Sequence, residues 1–231
     1  MARALTASCV ALAVLLATPS VVAAKAPDTW DNLIKLKSKK LEAVYLLPNA
    51  DFRGYTKVML DPTDVAFTKG WQRDINQSAI GLRRRISDTD ASAIADKARS
   101  GFGAIFAKAF SDAGYQVVTT PGPDVLRLIT GVQNLYITAP DPNNAALGRS
   151  FSAEAGEATF IVEARDSMTN AVLGRAVDQR IAGDMPGQRT SASNREDFEE
   201  LFRIWAKISV NGLNELKTLS PIDAEGQPRT P

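Results

Sequence analysis

Residues 50–71 read ADFRGYTKVMLDPTDVAFTKGW, and this stretch opens the folded part of the chain. Strand-forming side chains fill Tyr55–Leu60, so the pattern predicts a strand of the core. Pro62 ends the strand, because proline has no N–H to donate to a strand ladder and holds the preceding Asp61 extended. The stretch therefore predicts a core strand that is closed by an Asp-Pro corner.

Two amphipathic helices are predicted further along the chain. Apolar residues that recur every three or four positions predict a helix over 91–113. Gly114 follows it, where a left-handed C-terminal cap is needed. A capping-box pattern at 193–196 introduces a second apolar stripe, which predicts a helix over 194–219.

Glycines inside predicted helices and strands indicate places where the backbone is closely approached or irregular. Gly101 and Gly103 lie within the first helix, where each costs about 1 kcal/mol against alanine. Their presence suggests that another backbone approaches the helix closely at this point. Gly131 lies within a long predicted strand, where the alternation of apolar residues changes phase, so we expect a β-bulge there.

The element order indicates an α+β domain, with a mainly antiparallel sheet of about five strands and both long helices packed on one face. The chain of 231 residues, 45% of them hydrophobic, is long enough for one core. We expect a polar arm, helical or irregular, over 25–40, one domain over 41–219 and a disordered tail over 220–231. The predicted extended segments and strands are 41–47, 55–60, 115–119, 125–138, 157–164 and 172–181.

The first 24 residues have the pattern of a secretion signal. Arg3 supplies a positive charge, an apolar run follows, and small residues precede a predicted cleavage after Ala24, with Ala26 as the alternative. Too little apolar sequence precedes Cys9 for the export machinery to engage it, so a lipid anchor on this cysteine is disfavoured. The chain is therefore predicted to be periplasmic or secreted, with no transmembrane span after cleavage.

Several kinds of chemistry are excluded by residue counts. The chain has no histidine, and its one cysteine lies in the predicted signal. Ser-His-Asp and Cys-His nucleophile systems, histidine-based zinc sites and axial-histidine haem sites are therefore excluded. With 27 basic and 26 acidic side chains, no overall field attracts nucleic acid. We predict a non-enzymatic protein with no cofactor and no metal.

A few side chains are nevertheless candidates for binding. Aspartates around a proline turn usually cap backbone N–H groups. A tryptophan among polar residues is either a stacking platform for a carbohydrate or part of the core. Three consecutive arginines point in different directions and cannot all face one ligand, so they form either a solvated connector or an anion site. The candidates are Asp61, Asp64, Trp71, Arg83, Arg84 and Arg85.

Pairs of carboxylates are the main enzymatic alternative. A glycan-cleaving enzyme needs two carboxyl groups that face each other across about 5–10 Å. The sequence offers Asp61 with Asp64, and Glu163 with Asp166 or Asp178. Glu163 and Asp178 are predicted on the outward face of a hairpin, where ion pairing with neighbouring arginines is the structural explanation.

Several short phrases are distinctive, namely Tyr45–Pro48, Tyr55–Pro62, Ala66–Phe67, Trp71 and Asp166–Thr169. Together they resemble a bacterial envelope family known as domain of unknown function 3313. The likeness extends over about 41–217. The family implies a secreted or lipid-anchored envelope protein with no established activity, and this chain departs from the lipid-anchored members because it lacks a convincing lipobox.

The sequence thus favours a secreted envelope protein that acts as a non-enzymatic binding or accessory module. Its expected partner is an envelope protein or a cell-wall component. Two alternatives stay open: a carboxylate-dependent glycan-active enzyme, and a subunit of an outer-membrane assembly, which includes a homo-oligomer. No motif in the chain decides the identity of the partner.

Overall fold

The structure, a computed structural model, describes residues 27–78, 85–138, 140, 150–152, 155–183, 187–189, 191–223, 225 and 227. The predicted secretion signal and Cys9 lie outside these residues. The strands are β1 (Thr29–Trp30), β2 (Leu33–Leu36), β3 (Ala43–Leu46), β4 (Lys57–Leu60), β5 (Asp64–Phe67), β6 (Gln116–Val118), β7 (Val125–Ile137), β8 (Ser150–Ser152), β9 (Gly156–Asp166), β10 (Val172–Ala182) and β11 (Gly187–Arg189). The helices are α1 (Trp71–Ser78), α2 (Asp88–Asp112) and α3 (Ser191–Leu219).

One mixed sheet of nine strands organises the described part of the chain. Its order is β1-β2-β3-β10-β9-β7-β4-β6, and β5 also pairs with β7. The long strand β7 is antiparallel to β9 on one side. On its other side it is parallel to β4 and then to β5, which occupy successive halves of its length. The short strands β8 and β11 form a separate antiparallel pair.

The predicted fold class, a mainly antiparallel sheet of about five strands with two long helices, was wrong. Nine strands form the sheet, three helices are present among the described residues, and β4, β5, β6 and β7 pair in parallel. The corner at Asp61-Pro62 splits one apolar run into two strands that share a partner. The long connection through α1 and α2 then returns the chain parallel to β4, which a short turn cannot do.

Two segments that the sequence assigned to polar connections are regular structure. Residues 29–36, expected as a helical or irregular arm, form the β1–β2 hairpin, because Asp31 and Asn32 take positive φ angles of 48° and 63°. Asx residues tolerate this conformation, which a two-residue hairpin turn requires. Residues 71–78, for which the sequence predicted no helix or strand, form α1.

The two long predicted helices are present, but the capping box predicted at 193–196 lies inside the second helix and not at its start. Ser87 caps α2, and Ser87 and Asp90 form a reciprocal capping box. Gly114 follows this helix with a φ of 89°, as its C-terminal position predicted. The last helix begins at Ser191, three residues before the predicted start.

Both long helices pack against the same residue of the sheet. The ring of Phe160 on β9 lies 5.8 Å from Phe102 and 5.6 Å from Phe106, measured between centroids. Both phenylalanines belong to α2. Trp205 of α3 stacks on the same Phe160 ring at 5.3 Å. The helices therefore lie on one face of the sheet, and the centre of the core is aromatic.

The chain after α3 also contributes to this core. Ile222 is 1% exposed, its N–H donates to the carbonyl of Ala50, and its carbonyl accepts from the N–H of Asn49. Residues 220–223, which the sequence assigned to a disordered tail, therefore pack against the segment that precedes β4.

The predicted bulge at Gly131 is misplaced along β7. The register between β7 and β9 runs without interruption from Leu126 to Gln133, and the irregularity falls between Gln133 and Tyr136. Asn134 takes a positive φ of 50° at this point. The asparagine, rather than the glycine, allows the strand to change phase.

The close approach expected at Gly101 and Gly103 is also wrong, since a Cβ atom at either position would meet no atom within 4 Å. We expect Gly103→Ala to raise the free energy of unfolding by about 0.5–1 kcal/mol, because alanine favours the helix. Chemical denaturation of the purified protein measures this change. Gly156→Ala is the opposing control, since its Cβ would lie 1.8 Å from the carbonyl oxygen of Tyr136. A destabilised Gly103→Ala variant would contradict the open environment of α2.

A candidate binding groove at an open strand edge

The two predicted aspartates, Asp61 and Asp64, lie at the corner between β4 and β5. The carboxylate of each accepts hydrogen bonds from a side chain of β7. Asp61 forms a two-point ion pair with Arg127, with Nε–Oδ1 and Nη2–Oδ2 distances of 3.0 and 2.6 Å. Asp64 accepts a hydrogen bond of 2.8 Å from the side-chain amide of Gln133. The carboxylates therefore join the corner to the central strand.

The predicted tryptophan is in the core. Trp71 is 1% exposed, stacks on Phe67 at 4.0 Å between centroids, and donates its indole N–H to the carbonyl of Ile137 at 3.0 Å. It offers no ring face to a ligand from solvent. Arg83 and Arg84 lie outside the described residues, and Arg85 is exposed. The structure therefore does not gather the predicted candidates into one site.

The predicted ion pairing on the β9–β10 hairpin is confirmed for both carboxylates, since Asp178 pairs with Arg180, but the predicted outward face is wrong for Asp178. Glu163 accepts hydrogen bonds from both Arg165 and Arg175. Asp178, expected on the same outward face, is 5% exposed and lies opposite Phe160, toward the helices. The indole N–H of Trp205 donates to it at 2.8 Å.

Hydrogen bonding keeps two of these carboxyl groups ionised. Burial opposes ionisation of Glu163, but the hydrogen bonds from Arg175 and Arg165 outweigh burial and lower its pKa. The backbone N–H of Thr169 is the main cause of the lowered pKa of Asp166. A general acid at neutral pH needs a raised pKa, which neither group has.

On one side, the end of β10 has no strand neighbour among the described residues. The residues before β3 contact it there only through side chains of β10, since the N–H of Glu42 donates to Asp178 and Arg180 donates to the carbonyl of Lys40. The partner strand β3 begins at Ala43, which lies opposite Val177, whereas β10 continues to Ala182. On its other side β10 stays paired with β9 to its end. An unpaired edge presents N–H and C=O groups that can bond another strand. We call residues 178–182 the open edge.

A groove of about 920 Å³ runs along the open edge and beside the first half of α3. Its floor is partly apolar, since Leu201 and Ile204 of the helix contribute to it. Ile181 on the edge itself is 51% exposed. The groove is lined by Glu42, Glu157, Gln179, Arg180, Ile181, Ala182, Gly183, Asp197, Glu200, Leu201 and Ile204.

The groove has two sides, which follow from strand register. Ile181 lies directly opposite Glu157, so the two side chains point to the sheet face away from the helices. Gln179 shares this face because it is two residues from Ile181. Arg180 points to the other face, where α3 lies. A strand added at the open edge would therefore place alternate side chains on these two faces.

The lining of the groove is predominantly acidic. Among the residues that the structure describes, the lining contains the four carboxylates of Glu42, Glu157, Asp197 and Glu200 and one basic residue, Arg180. Asp197 already has an interaction partner. Arg180 is also already paired, since its Nε lies 2.5 Å from Oδ2 of Asp178. Glu200 also pairs with Arg203 outside the lining, in an exposed contact that contributes little energy.

A buried amide lies near one end of the acidic lining. Asn194 is 2% exposed, and neither polar atom of its side chain has a hydrogen-bond partner among the described residues. Helical spacing places it on the same side of α3 as Asp197 and Leu201, three and seven residues later. An unpaired buried amide costs free energy that a new hydrogen bond would recover.

The sequence did not reveal this groove. Its carboxylates come from separate segments of the chain, namely the β2–β3 connection, β9 and α3, so no local motif joins them. The available signal was the length of the predicted strand 172–181, which exceeds that of 41–47. That difference indicates an open edge only when the pairing of the two strands is known.

No helix among the described residues is long and apolar enough to span a membrane.

Comparison with known proteins gave one family and several distant structures. A family model described as "Protein of unknown function (DUF3313)" matches residues 25–208. No match was found among curated proteins.

The solved structures that are similar to this chain are distant. The PelC dodecamer from Paraburkholderia phytofirmans is 12% identical, with a TM-score of 0.37 and coverage of 72% of this chain and 95% of that chain. A Xanthomonas campestris protein of the DUF330 family is 12% identical, with a TM-score of 0.43 and coverage of 79% and 91%. A putative neuraminyllactose-binding hemagglutinin homolog from Helicobacter pylori is 7% identical, with a TM-score of 0.36 and coverage of 75% and 95%.

Proposed function

The chain belongs to the DUF3313 family of proteins of unknown function, and we propose that it is a non-enzymatic module that binds another protein of the cell envelope. The envelope location rests on the predicted secretion signal over 1–24. The binding role rests on the groove along the open edge of β10. The partner would add an extended segment to the sheet as a further strand.

The open edge is the single observation that carries this proposal. Strand addition uses the main-chain groups of an exposed edge for affinity, and neighbouring side-chain positions for specificity. Here the edge ends in a groove with a partly apolar floor, and an exposed isoleucine, Ile181, lies on the edge itself. Proteins normally cover or blunt such an edge, because it otherwise pairs with other chains without control.

The state of the carboxylates favours binding over catalysis. Asp61 is held in a two-point ion pair with Arg127, and Glu163 is shared between two arginines. Asp166 accepts hydrogen bonds from the backbone of Met168 and Thr169 in its own turn. Groups held in this way stabilise the fold, and no observation favours the glycan-active alternative over them.

Site-directed crosslinking tests the proposed function. Cys9→Ser removes the only native thiol, so that Ile181→Cys can carry a thiol-linked benzophenone at the open edge. On irradiation in envelope extract, we expect this probe to form a discrete adduct with one partner protein. Mass spectrometry should place the crosslink in an extended segment of that partner.

Met168→Cys provides the matched control, since Met168 is 63% exposed at the tip of the β9–β10 hairpin, away from the groove. The control probe should not form the same adduct. If both probes give identical adducts, or if Ile181→Cys gives none, the open edge is not where the protein binds its partner.

A further inference from the structure

We infer that the segment bound at the open edge is an extended, positively charged peptide, with lysine or arginine at the alternate positions that face α3. This inference rests on the proposed function and identifies the chemistry of the partner. It follows from which side chains line each side of the groove.

The side of the groove that faces α3 is acidic around an apolar floor. Asp197 and Glu200 lie on α3, one helical turn apart, and Leu201 and Ile204 lie beside them. Glu42 adds a third carboxylate. Ala43 of β3 lies opposite Val177, so the preceding residue Glu42 lies opposite Asp178 and points to the same face, toward the helices. Long basic side chains fit such a surface, since their methylene stems cover apolar groups while their charged ends reach carboxylates.

The opposite side of the groove selects a different kind of residue. Ile181, Gln179 and Glu157 lie there, and the exposed Ile181 is central among them. A β-branched residue on the added strand would pack beside Ile181 as a cross-strand neighbour. The expected segment therefore alternates basic with β-branched apolar residues. Five edge residues at about 3.4 Å each extend about 17 Å, so five to six partner residues can pair.

A second copy of the chain fits this edge less well. Antiparallel pairing of two open edges would bring two acidic linings together, whose described residues in each copy include four carboxylates and one arginine that is already paired. Like charges placed opposite each other on paired strands are destabilising. The charge of the groove thus opposes self-association and favours a basic partner.

Peptide binding tests the inference. Two labelled octapeptides are compared by fluorescence anisotropy with the purified protein: one alternates lysine with valine, the other glutamate with valine. We expect the lysine peptide to bind about tenfold or more tightly than the glutamate peptide, and its affinity to fall as salt is raised.

Charge reversal locates the binding. Glu42→Lys combined with Glu200→Lys should weaken binding of the lysine peptide about tenfold and strengthen binding of the glutamate peptide. Asp96→Lys combined with Asp112→Lys makes the same change in net charge on the exposed surface of α2 and should leave both affinities unchanged. If the control pair weakens binding as much as the groove pair, binding is a general charge effect and the inference is overturned.

Backbone methylation separates strand addition from charge alone. A strand has N–H groups on alternate residues facing opposite edges. N-methylation of one alternate set in the lysine peptide should abolish binding, whereas methylation of the other set should preserve it. Equal effects of the two sets would overturn the inferred mode of pairing.

The inference and the proposed function can fail separately. If Ile181→Cys crosslinks a partner specifically but the lysine peptide binds no more tightly than the glutamate peptide, the basic character of the partner is wrong while the binding role stands. If neither the crosslink nor the peptide engages the groove, both are wrong.

Discussion

Phe160→Ala should lower the free energy of unfolding by about 3–5 kcal/mol, a typical cost of removing a large aromatic ring from a packed core. The Phe160 ring is 0% exposed and contacts rings from both long helices, with Phe102 and Phe106 on α2 and Trp205 on α3. Its removal would leave a cavity that three rigid rings cannot close. Denaturant titration followed by circular dichroism measures the change.

Met168→Ala is the control for this variant, because Met168 is 63% exposed at the hairpin tip. Its effect should stay within about 0.5 kcal/mol. A cost below about 1.5 kcal/mol for Phe160→Ala would mean that the helices do not both depend on this ring, and would contradict the packing described for the core.

Glu163→Gln should lower the free energy of unfolding at pH 7 by about 2–4 kcal/mol, because breaking a largely buried ion pair leaves charges without a partner. Glu163 is the shared acceptor of Arg165 and Arg175, whose side chains are 24% and 12% exposed, and its own side chain is 15% exposed. Arg175 keeps its contact with Asp31, at 2.6 Å. The lost free energy of unfolding therefore comes mainly from the contact between Glu163 and Arg165.

The same variant has a pH signature. The folded protein holds the pKa of Glu163 below its ordinary value, so the stabilisation is present above the unfolded pKa of about 4.3 and is lost as pH falls through the lower folded pKa. The difference in free energy of unfolding between native protein and variant should stay constant from pH 7 to about 5 and shrink below about 4. A difference that is unchanged at pH 3 would contradict an ionised Glu163 as its source.

Part of the fold could be predicted from the local pattern of apolar residues in the sequence. The helices over 91–113 and 194–219 were predictable because three- and four-residue spacing and capping residues are both local signals. The strand over 157–164 was predictable because alternation of apolar and polar residues with a period of two is also a local signal.

The sheet topology could not be predicted from these local patterns, because strands that pair are distant from each other in the sequence. A strand that is parallel to its neighbour and one that is antiparallel show similar apolar patterns when both faces are partly covered. The parallel pairs around β7 depend on how the chain returns after α2. Asp178 illustrates the same limit: its burial toward Trp205 depends on β10 register, which the residues around it do not encode.

The candidate site was missed for a related reason. The sequence drew attention to Asp61, Asp64 and Trp71 because they are close in the chain, and the structure uses them to hold the corner and the core. The groove instead combines residues from distant segments. They surround an edge that exists only because β10 extends beyond the end of its pairing with β3. The shape and charge of the groove can therefore be recognised only when the pairing of the strands is known.

Hydrogen–deuterium exchange tests the central claim most directly, namely that the open edge of β10 accepts a further strand. Exchange is followed by mass spectrometry for the purified protein alone and with a saturating amount of the lysine–valine peptide. We expect amides in the segment 178–183 to exchange more slowly when the peptide is bound, with no change at the hairpin tip around Met168. Unchanged exchange in 178–183, with protection appearing elsewhere on the molecule, would contradict the claim.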